Sequence, residues 1–388
     1  MLLRSLRRFK LPLAPLNTSS TCPLTTKAQE SNHVGPRITA LAPVEIQPST
    51  PPRLAGKKFL PGSTGDGFPE ALSAPTDTFP HAIKIEHSGL ESMEDCVTSC
   101  RGYLEENLPH NGAVLIRNLP LKTAADFSNL TQGLGYKGMA YEGGAVERQE
   151  LDKNSGTYTA SDEPPEAIIE FHNEMAYSPV YPAKLLFFCQ QEPGKDCGGE
   201  TPLVRSSDIL SRLDPKIVQS FDKKGVRYVR YAPSRGPGAY LPWQDVFMTE
   251  DTKTAERFLQ QNGFSYKWEP SGALVYWQVL PALLKHPETG ETVWFNQIQS
   301  HHTSHLQEMP RFKDYNLPSH QYAYQTYYGD GSEVEPAVLQ HIRAVTWSCA
   351  VGFRWQNGDV LVVDNLAVQH ARMSFIGQRR ILAVLSVN

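Results

Sequence analysis

Short apolar segments separated by Pro and Gly are the feature that most limits how this chain can fold. Between residues 167 and 298 they include "AIIEFHNEM", "AKLLFFCQQ", "VRYVRYAP", "LVYWQVL" and "ETVWFNQI". Short runs rich in β-branched and aromatic residues are typical of strands. Because helical segments do not alternate regularly with them, a doubly wound parallel sheet is not expected. The pattern favours a mainly β fold, a sandwich or barrel with flanking helices.

Helices are predicted before and within this β-rich part. Residues 90–112 place apolar or small side chains at helical spacing and end at "PHNG". A buried strand, "GAVLIRNLP", follows, and Thr123 then caps a helix in "TAADFSNLTQGLGY". Another helix is expected over residues 206–225. The C-terminal segment predicts a turn at "NGD", a strand, a loop and a last strand, "RRILAVLSV".

The N-terminus is basic and free of acidic residues. Arg4, Arg7 and Arg8 lie on one face of a helical wheel with apolar residues opposite, and the first acidic residue is Glu30. This start resembles a mitochondrial transit peptide, so a mitochondrial location is expected. The alternative is a solvated basic tail on a cytoplasmic protein. Residues 1–60 are rich in Pro and Gly near their end and show weak hydrophobic periodicity. They are therefore expected to be a transit peptide followed by a disordered linker.

Composition argues against nucleic-acid binding, membrane insertion and a disulfide-stabilised fold. The net charge of −4 implies no general attraction to nucleic acid or to an anionic membrane. No apolar run approaches the ~20 residues needed to span a bilayer. The six cysteines form no CxxC pair and are expected to be free thiols in a reducing compartment. One domain is expected over residues 61–388, with a small molecule as its partner and with no prediction of oligomeric state.

His172 and Glu174, in "IIEFHNEM", are the first candidate metal ligands. In a strand, residues i and i+2 point to the same face, so the pair would present an imidazole beside a carboxylate. The alternative is a buried His beside an ordinary Glu. His370 follows "GDVLVVDNLAVQ" and is the best third ligand, whereas "SHHTSH", residues 300–305, is expected to be a polar loop. Two His and one carboxylate form the facial triad of non-haem Fe(II) oxygenases.

Two further residues suit an anionic cosubstrate. Arg380 lies in the strand "QRRILAV", ten residues after His370, and a core-directed guanidinium needs an anionic partner. The distal carboxylate of 2-oxoglutarate would serve, with Thr201 in "GGETPL" as a hydroxyl donor. A structural salt bridge and an ordinary strand Thr are the alternatives. Because adjacent strand residues face opposite ways, only one of Arg379 and Arg380 can point inward.

Taken together, the motifs resemble those of the taurine dioxygenase and clavaminate synthase-like family of Fe(II)- and 2-oxoglutarate-dependent oxygenases. The resemblance runs from about residue 111 to the C-terminus, and is carried by "FHNEMAYSPVYPAKLLFFC", "GGETPL", "VWFN", "GDVLVVDNLAVQHAR" and "QRRILAV". It implies a double-stranded β-helix, or jelly roll, with outer helices. It also implies that Fe(II) is held by His172, Glu174 and His370, and 2-oxoglutarate by Thr201 and Arg380, with O2 as cosubstrate. The strand register of the family would point Arg380 inward and Arg379 outward.

Two departures from the family pattern refine this resemblance. Many members have His-x-Asp where this chain has His-x-Glu, as clavaminate synthase also has, so the carboxylate ligand is kept. Taurine dioxygenase places a sulfonate-binding Arg four residues beyond its cosubstrate Arg, where this chain has Val384. A sulfonate substrate is therefore not expected.

The implied activity is oxidation of a small polar metabolite, with release of succinate and CO2. Because Glu174 keeps the carboxylate position, hydroxylation, or desaturation or cyclisation, is favoured over halogenation. The alternatives are a non-oxidative metalloenzyme and a vestigial metal-binding module on the same fold. Arg148, Asn296 and Arg372 are candidates for lining the substrate pocket, each with an equally good structural interpretation.

Overall fold

The architecture comes from a computed structural model of the chain, which describes residues 36–86, 92–139, 149–152 and 156–388. The predicted transit peptide and Arg148 lie outside these described residues. In the part of the chain that is described, no helix has the length and apolar character that a membrane span requires.

Seventeen strands and nine α-helices make up the regular structure of the described residues. The strands are β1 (Arg37–Ala40), β2 (His81–Glu86), β3 (Ala113–Arg117), β4 (Glu150–Asp152), β5 (Thr157–Thr159), β6 (Ile169–His172), β7 (Lys184–Gln191), β8 (Leu203–Arg205), β9 (Val226–Ala232), β10 (Ser265–Trp268), β11 (Leu274–Leu280), β12 (Leu283–Lys285), β13 (Thr292–Trp294), β14 (Tyr324–Tyr328), β15 (Val360–Asp364), β16 (Val368–Arg372) and β17 (Arg380–Ser386). The helices are α1 (Pro43–Ile46), α2 (Met93–Asn111), α3 (Ala124–Gly133), α4 (Ser206–Arg212), α5 (Pro215–Lys224), α6 (Trp243–Val246), α7 (Thr252–Gln261), α8 (Thr303–Glu308) and α9 (Pro336–Cys349).

A large and a small sheet form the centre of the fold. The large sheet has the order β1-β2-β3-β15-β7-β17-β5-β4, with β2 and β3 parallel and the other pairs antiparallel. The small sheet has the order β6-β16-β8. The rings of Phe187 in β7 and His370 in β16 are 5.2 Å apart, so the two sheets pack face to face. The predicted mainly β jelly roll with outer helices is confirmed.

Strand alternation gives the large sheet two buried faces. In β15, Leu361 and Val363 join the core between the sheets, which also contains Phe187. Val360 and Val362 join a second core, which includes the apolar side of α2. Because both faces are covered, these strands are apolar at nearly every position rather than at alternate ones.

The first two predicted helices are confirmed, and they begin or end at the capping residues expected from the sequence. Ser92 caps α2 and Gly112 ends it in the left-handed conformation, and Thr123 caps α3. The single helix predicted over residues 206–225 is instead two helices, because Pro215 begins α5 at its first turn. Helices α7 and α9 were not predicted from the sequence.

The folded domain begins earlier than expected. β1 pairs with β2 along its whole length. Ile46 and Leu54 are fully buried in the core between the sheets. The predicted boundary between residues 60 and 61 is therefore wrong for the segment from residue 36 onward, because a few apolar side chains anchor an otherwise Pro-rich stretch to the domain.

Candidate active site

Two histidines and one carboxylate converge where the small sheet faces the large one. His172, the last residue of β6, pairs directly with His370 in β16, and their rings are 4.3 Å apart. The Oε2 atom of Glu174 lies 3.9 Å from His172 Nε2 and 4.0 Å from His370 Nε2. One ligand atom from each residue falls within 4.8 Å of the others, an arrangement that can hold a metal ion. The structure thus brings together the three ligands expected from the sequence.

Glu174 reaches this position from a turn rather than from a strand. β6 ends at His172, and Met175 in the following turn has a φ of 57°. Asn365 accepts a hydrogen bond from the Glu174 backbone N–H at 2.7 Å and donates to the Glu174 carbonyl at 3.0 Å. The expected side-by-side placement is observed, but the side chain of Asn365 fixes it instead of a common strand face.

Asn173, the middle residue of His-x-Glu, connects the elements that carry the three ligands. It is fully buried, and its Nδ2 donates to the Asn365 carbonyl at 2.6 Å. Its Oδ1 accepts from the Asn296 backbone N–H at 3.1 Å and from Gln369 Nε2 at 3.0 Å. A fully satisfied polar network of this kind holds the turn rigidly against β16.

A buried ion pair lies directly behind His172. The Nδ1 atom of His172 is 2.8 Å from the backbone carbonyl of Glu170, which leaves Nε2 facing Glu174 and His370. The Glu170 carboxylate accepts two hydrogen bonds from Arg343 of α9, at 2.9 and 3.0 Å. Burial raises the pKa of Glu170, and the Arg343 charge acts in the opposite direction. The ion pair anchors the strand that orients His172.

The structure brings Arg379, not Arg380, to Thr201. Arg379 Nη2 donates to the Thr201 hydroxyl at 3.1 Å, and its Nε donates to the Gly199 carbonyl at 2.8 Å. Trp355 Nε1 donates to the same hydroxyl at 3.1 Å. Arg380 is exposed. The predicted inward orientation of Arg380 is therefore wrong.

Strand register explains the correction. Ile381 and Ala383 point into the core between the sheets, whereas Leu382 points to the helix-covered face. Counting back in steps of two places Arg379 on the inner face and Arg380 on the outer one. The bulge between β17 and β7 skips Gln190 of β7, so the alternation of β17 itself is undisturbed.

Two arginines, the buried Arg372 and the half-buried Arg379, make this side of the site positive. Burial, and then the neighbouring Arg372 charge, lower the pKa of Arg379 to about 9. Burial lowers the pKa of Arg372 to about 10. Among the described residues, no carboxylate comes within ion-pairing distance of either guanidinium. An anion bound here would offset the cost of burying these charges.

The other pocket candidates have structural partners. Asn296 Nδ2 donates to the Ala282 carbonyl at 3.2 Å, and its Oδ1 accepts from the Ile298 N–H at 3.2 Å. Arg372 donates to three backbone carbonyls in the segment 163–167. These contacts fit the structural interpretation of both residues.

The polar loop predicted for residues 300–305 is correct only for residues 300–302, which form a turn. His301 and His305 are buried, and helix α8 begins at Thr303. His302 caps α8 by accepting from the Ser304 N–H at 3.1 Å. Within the described chain, the only ligand cluster of this kind is the one at His172, Glu174 and His370, so these histidines are not part of it.

Sequence reasoning missed two residues at the site. Asn365 follows the buried strand "VLVVD", and an amide at a strand end is a common sign of a polar anchor. Arg379 could have been found by counting alternate residues back from Ile381, had the inner face of the last strand been known.

Comparison with known sequences identifies a dioxygenase family and two relatives. The sequence profile described as "Taurine catabolism dioxygenase TauD, TfdA family" matches residues 88–385. The dapdiamide synthesis protein DdaC of Enterobacter agglomerans is 33% identical over 289 residues, 73% of this chain and 84% of that protein. A clavaminate synthase-like protein of Arabidopsis thaliana is 33% identical over 329 residues, 82% of this chain and 93% of that protein.

Two solved structures that resemble this chain are more distant in sequence. PvcB of Pseudomonas aeruginosa is 14% identical with a TM-score of 0.45, covering 79% of this chain and 85% of that chain. An asparagine oxygenase is 13% identical with a TM-score of 0.45, covering 75% and 79%. The family itself follows from the profile and the two sequence relatives. The chain belongs to the TauD/TfdA family of Fe(II)- and 2-oxoglutarate-dependent dioxygenases.

Proposed function

We propose that this dioxygenase hydroxylates a small polar metabolite while converting 2-oxoglutarate and O2 to succinate and CO2. The observation that carries the proposal is the His172, Glu174 and His370 cluster, together with a half-buried Arg379 that has no carboxylate partner among the described residues. When bound, iron and 2-oxoglutarate supply the oxidising chemistry, and the protein supplies ligands, orientation and exclusion of water.

His172, Glu174 and His370 are the proposed iron ligands. Two neutral imidazoles and one carboxylate on one side of a metal suit Fe(II) and leave its remaining positions open. The hydrogen bond from the His172 ring to the Glu170 backbone fixes which nitrogen faces the metal. Asn365 holds the Glu174 backbone in the same way.

Arg379 and Thr201 are the proposed contacts of the distal 2-oxoglutarate carboxylate. A guanidinium presents paired N–H groups that match the two oxygens of a carboxylate. The Arg379 side chain already lies against the Thr201 hydroxyl, so both donors are directed to one place. Arg380 has no part in this contact, because it is exposed on the other face of β17.

The direct test is succinate formation from 2-oxoglutarate with Fe(II), ascorbate and air. The wild-type protein should form succinate slowly without substrate, and faster with the right metabolite in an extract screen. His172→Ala and His370→Ala should each abolish stoichiometric iron binding and succinate release, whereas His302→Ala should retain both. Stoichiometric iron in the double His172→Ala/His370→Ala variant would refute the ligand assignment.

A mitochondrial location is part of the proposal. Its support is the acid-free, arginine-containing segment at the start of the chain. A fluorescent fusion of residues 1–60 should enter mitochondria, and the same fusion with Arg4, Arg7 and Arg8 replaced by Gln should not. A wild-type fusion that stays diffuse in the cytosol would contradict this part of the proposal.

A further inference from the structure

A second group of polar and aromatic side chains borders the metal cluster and has no role in it. Arg230 lies in β9, with its guanidinium 4.9 Å from the centre of the Tyr177 ring and 5.2 Å from that of Tyr324. The His301 ring lies 4.8 Å from each of the same two tyrosine rings. We call these four residues the Arg230 cluster.

The Arg230 cluster faces the active site rather than the outer surface. Val226 and Tyr228 of β9 belong to the core between the sheets, so by alternation Arg230 is on the same inner face. Tyr228 also meets the His301 ring edge-on at 6.0 Å. Tyr177 is three residues beyond Glu174, and His301 lies close enough to His172 for their charges to interact.

His301 carries polar atoms that the described protein does not satisfy. It is 6% exposed, and neither of its ring nitrogens has a hydrogen-bond partner among the described residues. Burial lowers the pKa of His301 well below its usual value, and the charges of Arg230, His172 and His305 act in the same direction. The ring is therefore neutral and offers one N–H donor and one acceptor. An unmade hydrogen bond at a buried group is costly, which points to a ligand.

Arg230 is likewise without an anionic partner. Across the described residues, its guanidinium forms no ion pair, and its neighbours are the faces of two tyrosines. Tyrosine faces stabilise a cation only modestly, by about 0.5–2 kcal/mol, and leave the N–H groups at the edge of the guanidinium available. The half-buried side chain can therefore direct these donors toward a bound anion.

We propose that Arg230 and His301 bind a carboxylate group of the primary substrate, so that the oxidised metabolite is a carboxylic acid. This inference rests on the proposed function and names its substrate class. One guanidinium and one neutral imidazole N–H match the single charge and two planar oxygens of a carboxylate. A phosphate would call for more positive charge than the Arg230 cluster supplies.

The test uses carboxylic acids paired with their primary amides as probes. Hexanoate, benzoate and L-leucine are each compared with the corresponding amide, and taurine serves as a sulfonate probe. Thermal unfolding of the metal-free protein reports binding without turnover, because a ligand of the native state raises the Tm. Succinate release by the iron-loaded protein is the second measurement.

Arg230→Gln is the test variant, and two other arginines give matched controls. Arg227 lies on the same strand but on its opposite face, and its Nη2 donates to the Gly329 carbonyl. Arg379→Gln controls for acids that bind at the proposed cosubstrate site instead. At least one acid should raise the Tm of the wild type and of both control variants. Arg230→Gln should weaken that binding at least about tenfold, which is ~1.4 kcal/mol.

Four outcomes would overturn the inference. Three are equal effects of acids and amides on the wild type, no effect of any acid, and equal loss of binding in Arg227→Gln and Arg230→Gln. The fourth is taurine binding as tight as that of the acids. Acid binding that depends on Arg230 in a protein that forms no succinate would support the subsite while refuting the proposed function.

Discussion

Two arginines near the active site, the buried Arg343 and the half-buried Arg379, differ in whether a carboxylate balances their positive charges. Arg343 donates twice to the buried Glu170 carboxylate and also to the Ser304 hydroxyl, at 2.9 Å. Within the described part of the chain, Arg379 has only neutral acceptors, the Gly199 carbonyl and the Thr201 hydroxyl. A carboxylate therefore balances the Arg343 charge, whereas no described carboxylate balances that of Arg379.

The difference separates a structural arginine from a binding arginine. Desolvating a guanidinium is costly, and a carboxylate partner repays part of that cost in the folded state. Where the chain supplies that partner, as Glu170 does, removing either residue leaves an uncompensated charge. Where it supplies only dipoles, as at Arg379, the site is pre-organised for an anion from outside.

Arg343→Met should give the largest effect on stability. It leaves the buried Glu170 carboxylate without a charged partner, because burial lowers the pKa of the His305 ring, whose Nδ1 lies 3.6 Å away, to about 3. Loss of one member of a buried ion pair typically costs about 3–5 kcal/mol in the free energy of unfolding. Because Glu170 can then be accommodated only by binding a proton, its pKa in the folded state rises further, and the deficit should grow as the pH rises from 5 to 8. Urea unfolding at several pH values measures both effects.

A double variant that removes both members of the ion pair controls for simple loss of packing. Arg343→Met combined with Glu170→Leu removes both charges and should recover much of the lost stability, because apolar replacement of a whole buried ion pair is often neutral. A double variant as unstable as Arg343→Met alone would show that the ion pair is not what distinguishes this region.

Arg379→Met should have the opposite profile. Without cosubstrate, its free energy of unfolding should stay within about 1 kcal/mol of the wild-type value, because no buried carboxylate loses a partner. The rise in Tm that 2-oxoglutarate gives to the wild-type protein should disappear in the variant. A loss of stability as large as that of Arg343→Met would break the comparison.

The cluster of Asp364, Lys184 and His286 is also balanced within the protein, as Arg343 is. We expect its disruption to have the smallest effect on stability of the three sites. The Asp364 carboxylate lies 2.8 Å from Lys184 Nζ and 3.2 Å from His286 Nε2. The hydrogen bond to Asp364 raises the pKa of His286. Because the pKa of His286 is higher in the folded protein than in the unfolded chain, protonated His286 stabilises the fold. This stabilisation is fully present below about pH 6.5, the pKa in the unfolded chain, and is lost as the pH rises through the pKa in the folded protein.

His286→Gln should therefore be less stable than the wild type by on the order of 1 kcal/mol at pH 6, with a smaller difference at alkaline pH. Urea unfolding at the two pH values measures the difference, and the apparent affinity for 2-oxoglutarate should not change. A difference that grows with pH would mean that protonated His286 does not stabilise the fold.

The metal cluster and the fold class were accessible from sequence because each has a local signature. His172 and Glu174 are close along the chain, and His370 follows the apolar run "VLVV" of β15. The inward face of the last strand was not accessible. "ILAVL" is apolar at every position because both faces of β17 are buried, so no periodicity shows whether Arg379 or Arg380 points inward.

The start of the domain was hidden for a related reason. The segment before residue 60 shows little hydrophobic periodicity and is rich in Pro, so only tertiary positions show that Ile46 and Leu54 are core residues. Asn365 was missed because its role depends on a contact with Glu174, which is distant in sequence. Long-range contacts of this kind leave no periodic pattern in the sequence.

The most direct measurement is the 2-oxoglutarate dependence of succinate release for Arg379→Lys and Arg380→Lys. Lysine keeps the charge but loses the paired donors, so Arg379→Lys should raise the half-saturating 2-oxoglutarate concentration at least about tenfold, which is ~1.4 kcal/mol. Arg380→Lys should be nearly silent, because it exchanges one exposed cation for another. A damaging Arg380→Lys beside a silent Arg379→Lys would contradict the assignment of Arg379 as the arginine that binds the cosubstrate.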